Sequence, residues 1–344
     1  MKKLKRSLRQ RGIKMGKKYD VAALGELLID MTNNGKSEQG NALYEANPGG
    51  APCNVLAMLK KLGHTVGFIG KVGDDIFGHE LKAVLEDVGI ETKGLVIDKD
   101  VRTTLAFVKN SPDGDRDFSF YRNPGADMML TKDEINDELL REARIFHFGT
   151  LSMTHEKVRE ATIYAVKTAK EAGALISFDP NIREPLWESM DVAKEQVLTG
   201  LGYCDILKIS DNEIQWLTGE EDYTAGINRI YEKYEIPLIT VSLGKQGSRA
   251  YYRKDGAKDG YIMTEAASIL QKNTIETTGA GDTFGGCVLH YILENGLDGL
   301  SEENLKEMLT FANGAASIIT TRRGALRVMP EPEEVSELIA SHFD

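Results

Sequence analysis

Beyond residue 18 the chain alternates short apolar runs with amphipathic stretches. The runs at 21–29, 66–72, 144–149, 175–178, 206–209 and 238–241 are brief and rich in branched side chains, which predicts strands. Between them, 54–62, 78–88, 158–172 and 191–201 repeat apolar residues at helical spacing, and 282–294 and 302–320 extend the helical pattern toward the C-terminus. Alternation of this kind predicts an α/β fold, a largely parallel sheet with helices on both faces. Two stretches break the rhythm. Residues 32–50 are polar and too long for an ordinary connection. Residues 102–123 read as a hairpin, with Thr104-Leu-Ala-Phe-Val108 and Asp117-Phe-Ser-Phe-Tyr121 around a Pro112-Asp-Gly114 turn. Insertions of this length at strand ends are typically lids or interfaces. The expectation is a single α/β domain over 19–344 with a small discontinuous β-sheet lid from about 31–48 and 100–124.

Composition changes this picture only through charge. The 344 residues hold 42 Lys+Arg and 53 Asp+Glu, a formal net charge of −11, with ordinary globular shares of hydrophobic (41%) and charged (28%) residues. Nine of the basic residues lie within 1–18 and no acid does. Removing nine positive charges from −11 leaves −20 on the rest, the opposite of a nucleic-acid footprint. The basic head lacks the apolar run of a signal peptide, and reads as a solvated extension outside the fold, with Met15 as an alternative start. No stretch is apolar enough to span a membrane. Cys53, Cys204 and Cys287 are odd in number, far apart and never in a CxxC, which fits a reducing cytoplasm and no Cys-based zinc site.

Candidate chemistry concentrates in Thr277-Thr-Gly-Ala-Gly-Asp282, which precedes an apolar helical stripe. Gly279-Ala280-Gly281 lets the backbone turn with its N–H groups converging on one point, at the positive end of a helix dipole. A carboxylate repels phosphate, so Asp282 beside such an anion hole reads as a base that the helix end keeps ionised. The plainer alternative is that Asp282 caps the helix and the glycines turn the chain. Other phosphate loops fail: in Asp30-Met-Thr-Asn-Asn-Gly-Lys-Ser37 an Asp stands where a P-loop has its first Gly, and the spacing after Gly279 is not that of a dinucleotide fold. There is no HExxH or GxSxG, and the six His show no metal-ligand spacing, so none is assigned a role.

With Pro48-Gly-Gly-Ala-Pro-Cys-Asn54, Gly70-Lys-Val-Gly-Asp-Asp-Ile-Phe-Gly78 and residues 277–282 in order, the chain resembles the ribokinase-like (PfkB) carbohydrate kinases from about Val21 to Pro330. Phe120-Tyr-Arg-Asn-Pro-Gly-Ala-Asp127 and Asp179-Pro-Asn-Ile-Arg-Glu-Pro-Leu-Trp187 resemble fructokinases in particular. The resemblance implies sugar binding by Asp30, Gly50 and Asn54, with Arg122 reaching in from the lid, and catalysis by Asp282 with the Gly279–Gly281 amides and Arg183. It implies ATP binding by Lys208, Ser242, Gly244, Gly247, Gly281 and Asn313, and magnesium linked through water to Glu213. Ser210 replaces the usual Asn of the family's NxxE element. Glu276 replaces the Asp that helps hold a monovalent cation in some relatives, which leaves potassium activation open. Taken singly these residues have ordinary alternatives: a turn cap for Asp30, a helix cap for Asn54, a surface charge for Arg183.

The implied reaction is ATP-dependent phosphorylation of the 6-hydroxyl of D-fructose. Rival readings are a 2-keto-3-deoxygluconate kinase, in which Tyr121-Arg122 would clasp a carboxylate, a nucleoside kinase, and a catalytically idle sugar-binding protein. An exposed lid carrying Phe107, Phe118 and Phe120 predicts a homodimer formed lid to lid.

Overall fold

The apolar runs form the strands of a central sheet. The computed structural model describes residues 16–110, 116–254 and 260–343. Within them run β1 (Tyr19–Leu24), β2 (Leu28–Lys36), β3 (Ala42–Gly49), β4 (Val66–Gly73), β5 (Glu91–Asp98), β6 (Leu105–Asn110) and β7 (Arg116–Tyr121). The series continues with β8 (Ala143–Gly149), β9 (Leu175–Asp179), β10 (Ile206–Ser210), β11 (Leu238–Ser242), β12 (Ser248–Tyr252) and β13 (Ile262–Ala266). Nine make one sheet in the order β13-β12-β11-β10-β9-β8-β1-β4-β5. It is parallel throughout except where β12 pairs antiparallel with β11 and β13. The two faces follow from strand alternation: Val21 and Ala23 pack on one side, Ala22 and Leu24 on the other. Helices Ala51–Lys61, Ile76–Val88, Ala280–Asn295 and Glu302–Ile319 cover the first face. Glu156–Glu171, Met190–Leu201, Asp211–Thr218 and Tyr223–Tyr231 cover the second.

The remaining four strands form the lid, in the order β3-β2-β6-β7. The polar stretch 32–50, expected to contribute to a small β-sheet, supplies most of the antiparallel β2–β3 pair. The predicted hairpin at 102–123 is β6–β7, with Leu105 opposite Tyr121 and Val108 opposite Phe118; its Pro112-Asp-Gly114 turn lies outside the described residues.

The predicted strand at 21–29 is in fact two. After Leu24 the chain leaves the main sheet and re-enters at Leu28 in the lid. Glu26, in the crossing, turns its carboxylate to the start of a helix, where Oε1 accepts the Ala51 N–H at 2.8 Å. Strands β5, β12 and β13 went unpredicted.

Most of the basic head lies outside the described residues. Its last two lysines belong to the fold, since Lys17 Nζ donates to the Ala143 carbonyl at 2.7 Å and Lys18 pairs with Glu138 at 2.9 Å. All three cysteines are buried and unpaired. Among the described residues, no helix is long and apolar enough to cross a membrane.

Candidate active site

The parallel strands end along one edge, and the lid stands over it. Asp179 closes β9, Lys208 and Ser210 lie at the end of β10, and Ser242 closes β11. Open α/β sheets bind ligands at this edge. Against it, Gly279 adopts a left-handed conformation (φ 74°) and starts helix Ala280–Asn295. A methyl group on Gly279 would sit 2.7 Å from Ala325 Cβ, so both the turn and the packing require glycine. In this first turn Ala280 N–H bonds the Thr277 carbonyl, and Thr283 N–H bonds that of Gly279. Of the amides expected from the sequence, Gly279 to Gly281, that of Ala280 is engaged by Thr277; helix geometry leaves the Gly281 and Asp282 amides without a partner inside the helix.

Two cavities flank this turn. One, of about 310 Å³, is lined by Asp30, Gly50, Asn54, Arg183, Lys208 and Asp282 among others, with Leu28, Val108 and Phe120 of the lid. The other, of about 410 Å³, is lined by Ser242, Gly244, Gly247 and Asn313, with apolar walls from Ile269, Leu270, Phe284 and Ala316. Both include Thr277 and Gly281. The turn at 277–282 is thus the partition between a polar chamber under the lid and a more apolar groove outside it.

In the polar chamber Asn54 Nδ2 donates to Asp282 Oδ2 at 2.8 Å. Asn54 Oδ1 is buried with no hydrogen-bond partner. A buried unpaired carbonyl oxygen costs free energy unless a ligand hydroxyl meets it. Gly50 precedes Asn54 with φ 130°; a Cβ there would lie 2.4 Å from the Glu26 carbonyl oxygen, so the helix carrying Asn54 can begin here only at glycine. Asp282 is 9% exposed. Burial pushes its carboxyl above the ordinary value of 3.8, while Asn54, Lys208 and Arg183 pull it back.

Lys208, expected on the nucleotide side, sits at the junction. It lines the polar chamber and pairs with Asp179 at 2.9 Å, and a methyl on Gly281 would be 3.2 Å from its Nζ. Burial disfavours its charge, but Asp179, Glu213 and Asp282 outweigh burial and hold the ammonium protonated. Asp179 is itself pushed up to about 7 by burial, against the opposing pull of Lys208. Its Oδ1 is buried and unpartnered.

Several predicted residues have protein partners that the sequence did not suggest. Arg122 does not line the chamber: its side chain is 2% exposed and pairs with Asp127 at 2.7 Å, while donating to Thr154 Oγ1 and the Leu151 carbonyl. An acid five residues away on the same segment captures the guanidinium, so it braces the wall at Leu151. Glu213 forms a capping box with Ser210, and its Oε1 accepts the Ile182 N–H at 2.9 Å. Ser210 is thus a good N-cap where the family pattern has Asn. Asn313 Nδ2 donates to the Ala266 and Ala267 carbonyls, shaping the groove wall. Glu276 Oε1 accepts the Gly324 N–H at 2.9 Å, tying the signature to the 320–324 turn. Phe120 faces the chamber and so is not on the lid's outer surface. The side chain of Phe118 lies outside the described residues.

Two residues escaped the sequence reading. Asn181, the one non-glycine residue with positive φ (43°) among the described residues, lines the chamber beside Arg183. Its signal was the Pro-Asn pair after a strand. Glu26 lines the chamber too, and burial pushes it up to about 7. Its signal was a lone acid in an apolar run.

A carboxylate facing a polar chamber, a helix start forming its partition and a nucleotide-sized groove beyond are the parts of an α/β kinase that phosphorylates a hydroxyl group. A family model described as pfkB family carbohydrate kinase matches residues 18–332, and the chain belongs to that family. It is a phosphotransferase acting on an alcohol group, with the ribokinase-like fold. It is 41% identical over 324 residues to fructokinase-1 of Zea mays, covering 93% of this chain and 97% of that one. A crystal structure of fructokinase with bound ATP from Xylella fastidiosa superposes with a TM-score of 0.84 at 29% identity, covering 95% of this chain and 100% of that one. A fructokinase double mutant from Vibrio cholerae O395, in a form with fructose, ADP and potassium ion, gives 0.81 at 26% identity over 94% of this chain and 99% of that one.

Proposed function

We propose that this chain transfers the terminal phosphoryl group of ATP to the 6-hydroxyl of D-fructose, with Asp282 as general base. The observation that carries the reading is the pair of cavities sharing Thr277 and Gly281. A nucleotide in the outer groove, near Ser242, Gly244, Gly247 and Asn313, directs its terminal phosphate at the partition. A sugar in the inner chamber, held by Asp30, the Gly50 backbone and the unpaired Asn54 carbonyl, directs a hydroxyl at the same point. The fructokinase relatives support fructose as that sugar.

Asp282 accepts the hydroxyl proton as the oxygen bonds to phosphorus and the bond to the leaving ADP oxygen breaks. The transition state is loose, so the hydroxyl becomes acidic only late and a carboxylate suffices as base. The Gly281 and Asp282 amides, with Arg183 and Lys208, stabilise the equatorial oxygens in a chamber that the lid shields from water. The donor set fits magnesium in an outer-shell role: Asp179 Oδ1 is buried without a partner, and Glu213 Oε1, which accepts a single bond, keeps a lone pair for water. The chemistry such an ion supplies is neutralisation of phosphate-oxygen charge. With three buried cysteines unpaired, a reducing cytoplasm is the compartment that suits the chain.

The sequestered Arg122 favours fructose over 2-keto-3-deoxygluconate, because the expected carboxylate clasp is engaged by Asp127. An ADP-release assay against fructose, 2-keto-3-deoxygluconate, ribose and adenosine tests this, with the phosphorylated position read by NMR. Saturable turnover with fructose, giving the 6-phosphate, is expected. Faster turnover with any of the others would overturn the assignment. Asp282→Asn should retain ATP binding and lose ~10²–10⁴-fold in turnover, and near-wild-type turnover would remove it as the base.

A further inference from the structure

Helix Ala280–Asn295 presents Asp282 at its first turn and carries a second cluster at its other end. His290 and Glu294 are four residues apart, so their side chains share one helix face. His64, from the loop after helix Ala51–Lys61, approaches that face: its Nε2 is 2.8 Å from His290 Nδ1. One ligand atom from each of His64, His290 and Glu294 lies within 4.8 Å of the others. The remaining ring nitrogen of His64, Nδ1, is 3.5 Å from Asp20 Oδ2. That carboxylate favours the tautomer with its proton on Nδ1, which aims the Nε2 lone pair at His290. A carboxylate behind an imidazole is the recurrent outer support of a metal-bound histidine. Arg144 engages the other Asp20 oxygen at 2.7 Å and the Leu293 carbonyl, which fixes Asp20 from behind.

We propose that His64 Nε2, His290 Nδ1 and the Glu294 carboxylate form a binding site for one divalent transition-metal ion of the zinc class. Two imidazoles and a carboxylate suit such an ion and not magnesium or calcium, which prefer oxygen donors throughout. Nitrogen ligands on a tetrahedral zinc ion stand roughly 3.3 Å apart, from bonds of about 2.0–2.1 Å, so the imidazoles need to part only slightly. His290 passes its proton from Nδ1 to Nε2 in doing so, with no net change. Glu294 is exposed, so it can swing inward, and the site opens to solvent for entry and for a water as fourth ligand. Twelve residues of helix put Glu294 about 18 Å from Asp282, so the ion is no part of phosphoryl transfer. It is a staple: it joins the helix bearing the base to the loop entering β4 and, through Asp20, to β1.

The test uses the untagged full-length chain, stripped with a chelator and free of nucleotide. Zinc affinity is measured by competition with a chromogenic chelator, and cobalt by its visible absorption. Wild type should take up one equivalent of zinc at micromolar affinity or tighter, with the absorption of four-coordinate cobalt. His290→Ala should abolish this. Glu294→Gln, at an exposed position that cannot compromise folding, should weaken it by ~10-fold or more. Absence of micromolar zinc binding in wild type, or equal binding by wild type and Glu294→Gln, would overturn the proposal.

Discussion

Asp282 in its proposed role is subject to opposing demands, because a base must be ionised and yet this carboxyl is buried. Burial raises its pKa, and Lys208 and Arg183 lower it. Lys208→Met removes one lowering charge, so the acid limb of kcat/KM against pH should move to higher pH; a limb that stays in place would show that Lys208 does not tune the base. Glu26 supplies a pH dependence of stability. Its folded pKa of about 7 exceeds the ordinary 4.5, so the folded chain binds the proton more tightly and loses stability as pH rises from about 4.5 through 7. Glu26→Gln keeps an oxygen for the Ala51 N–H and cannot ionise. Urea unfolding at pH 5 and pH 8 should show the variant gaining on wild type at the higher pH, and an unchanged difference would exclude Glu26 as the source. The position of Asp282 at a helix start was legible in the sequence because Gly-x-Gly-Asp before an apolar stripe is a local signal. Glu26 was not, since its partner Ala51 is distant in sequence. Arg122 was misread in part for the same reason: Thr154 and Leu151, which take its other donors, are distant in sequence, although Asp127 is only five residues away.

At the scale of elements, the parallel strands at the centre of the main sheet were legible in advance, as was the lid hairpin with its turn signal, whereas the antiparallel β12 and β13 were not. Residues of β4 are buried throughout, and its apolar residues, interrupted only by glycines and the buried Lys71, read directly as a strand. The strands β3 and β5 are half-exposed or lie at sheet edges, and their mixed composition, such as Ala42-Leu-Tyr-Glu-Ala-Asn47, resembles a polar loop. The lid, which they help build, also has a face that the chamber does not use. Leu43 and Tyr44 are each 46% exposed and Tyr121 is 64% exposed, with Phe107 between the two tyrosines at ring-centroid distances of 5.2 and 5.1 Å. Such an aromatic patch on a sheet surface fits a second copy of the same lid, and we propose a homodimer closed through it. Light scattering of Tyr44→Glu/Tyr121→Glu should give half the wild-type mass. An unchanged mass would exclude the lid as the interface.

Across the whole molecule, the charge balance and the site pull in opposite directions. Beyond residue 18 the chain carries −20, yet its nucleotide substrate is also an anion. The overall field repels ATP, so attraction must be local; in the proposed arrangement it comes from the Gly281 and Asp282 amides, Lys208 and Arg183, whose fields act over short, poorly screened distances in a buried site. The seven basic residues within 1–15 could offset the repulsion only if they mattered to this site. The contacts of Lys17 and Lys18 with Ala143 and Glu138 attach the start of the fold near the beginning of β8, while the site lies where the parallel strands end. A chain beginning at Gly16 retains both lysines and loses the seven charges. Its turnover and its KM for ATP should match the full-length chain at low and at moderate ionic strength. A rise in KM confined to low salt would mean that the head steers the nucleotide by long-range attraction. A loss of turnover that salt does not alter would mean that it contributes groups to the site itself.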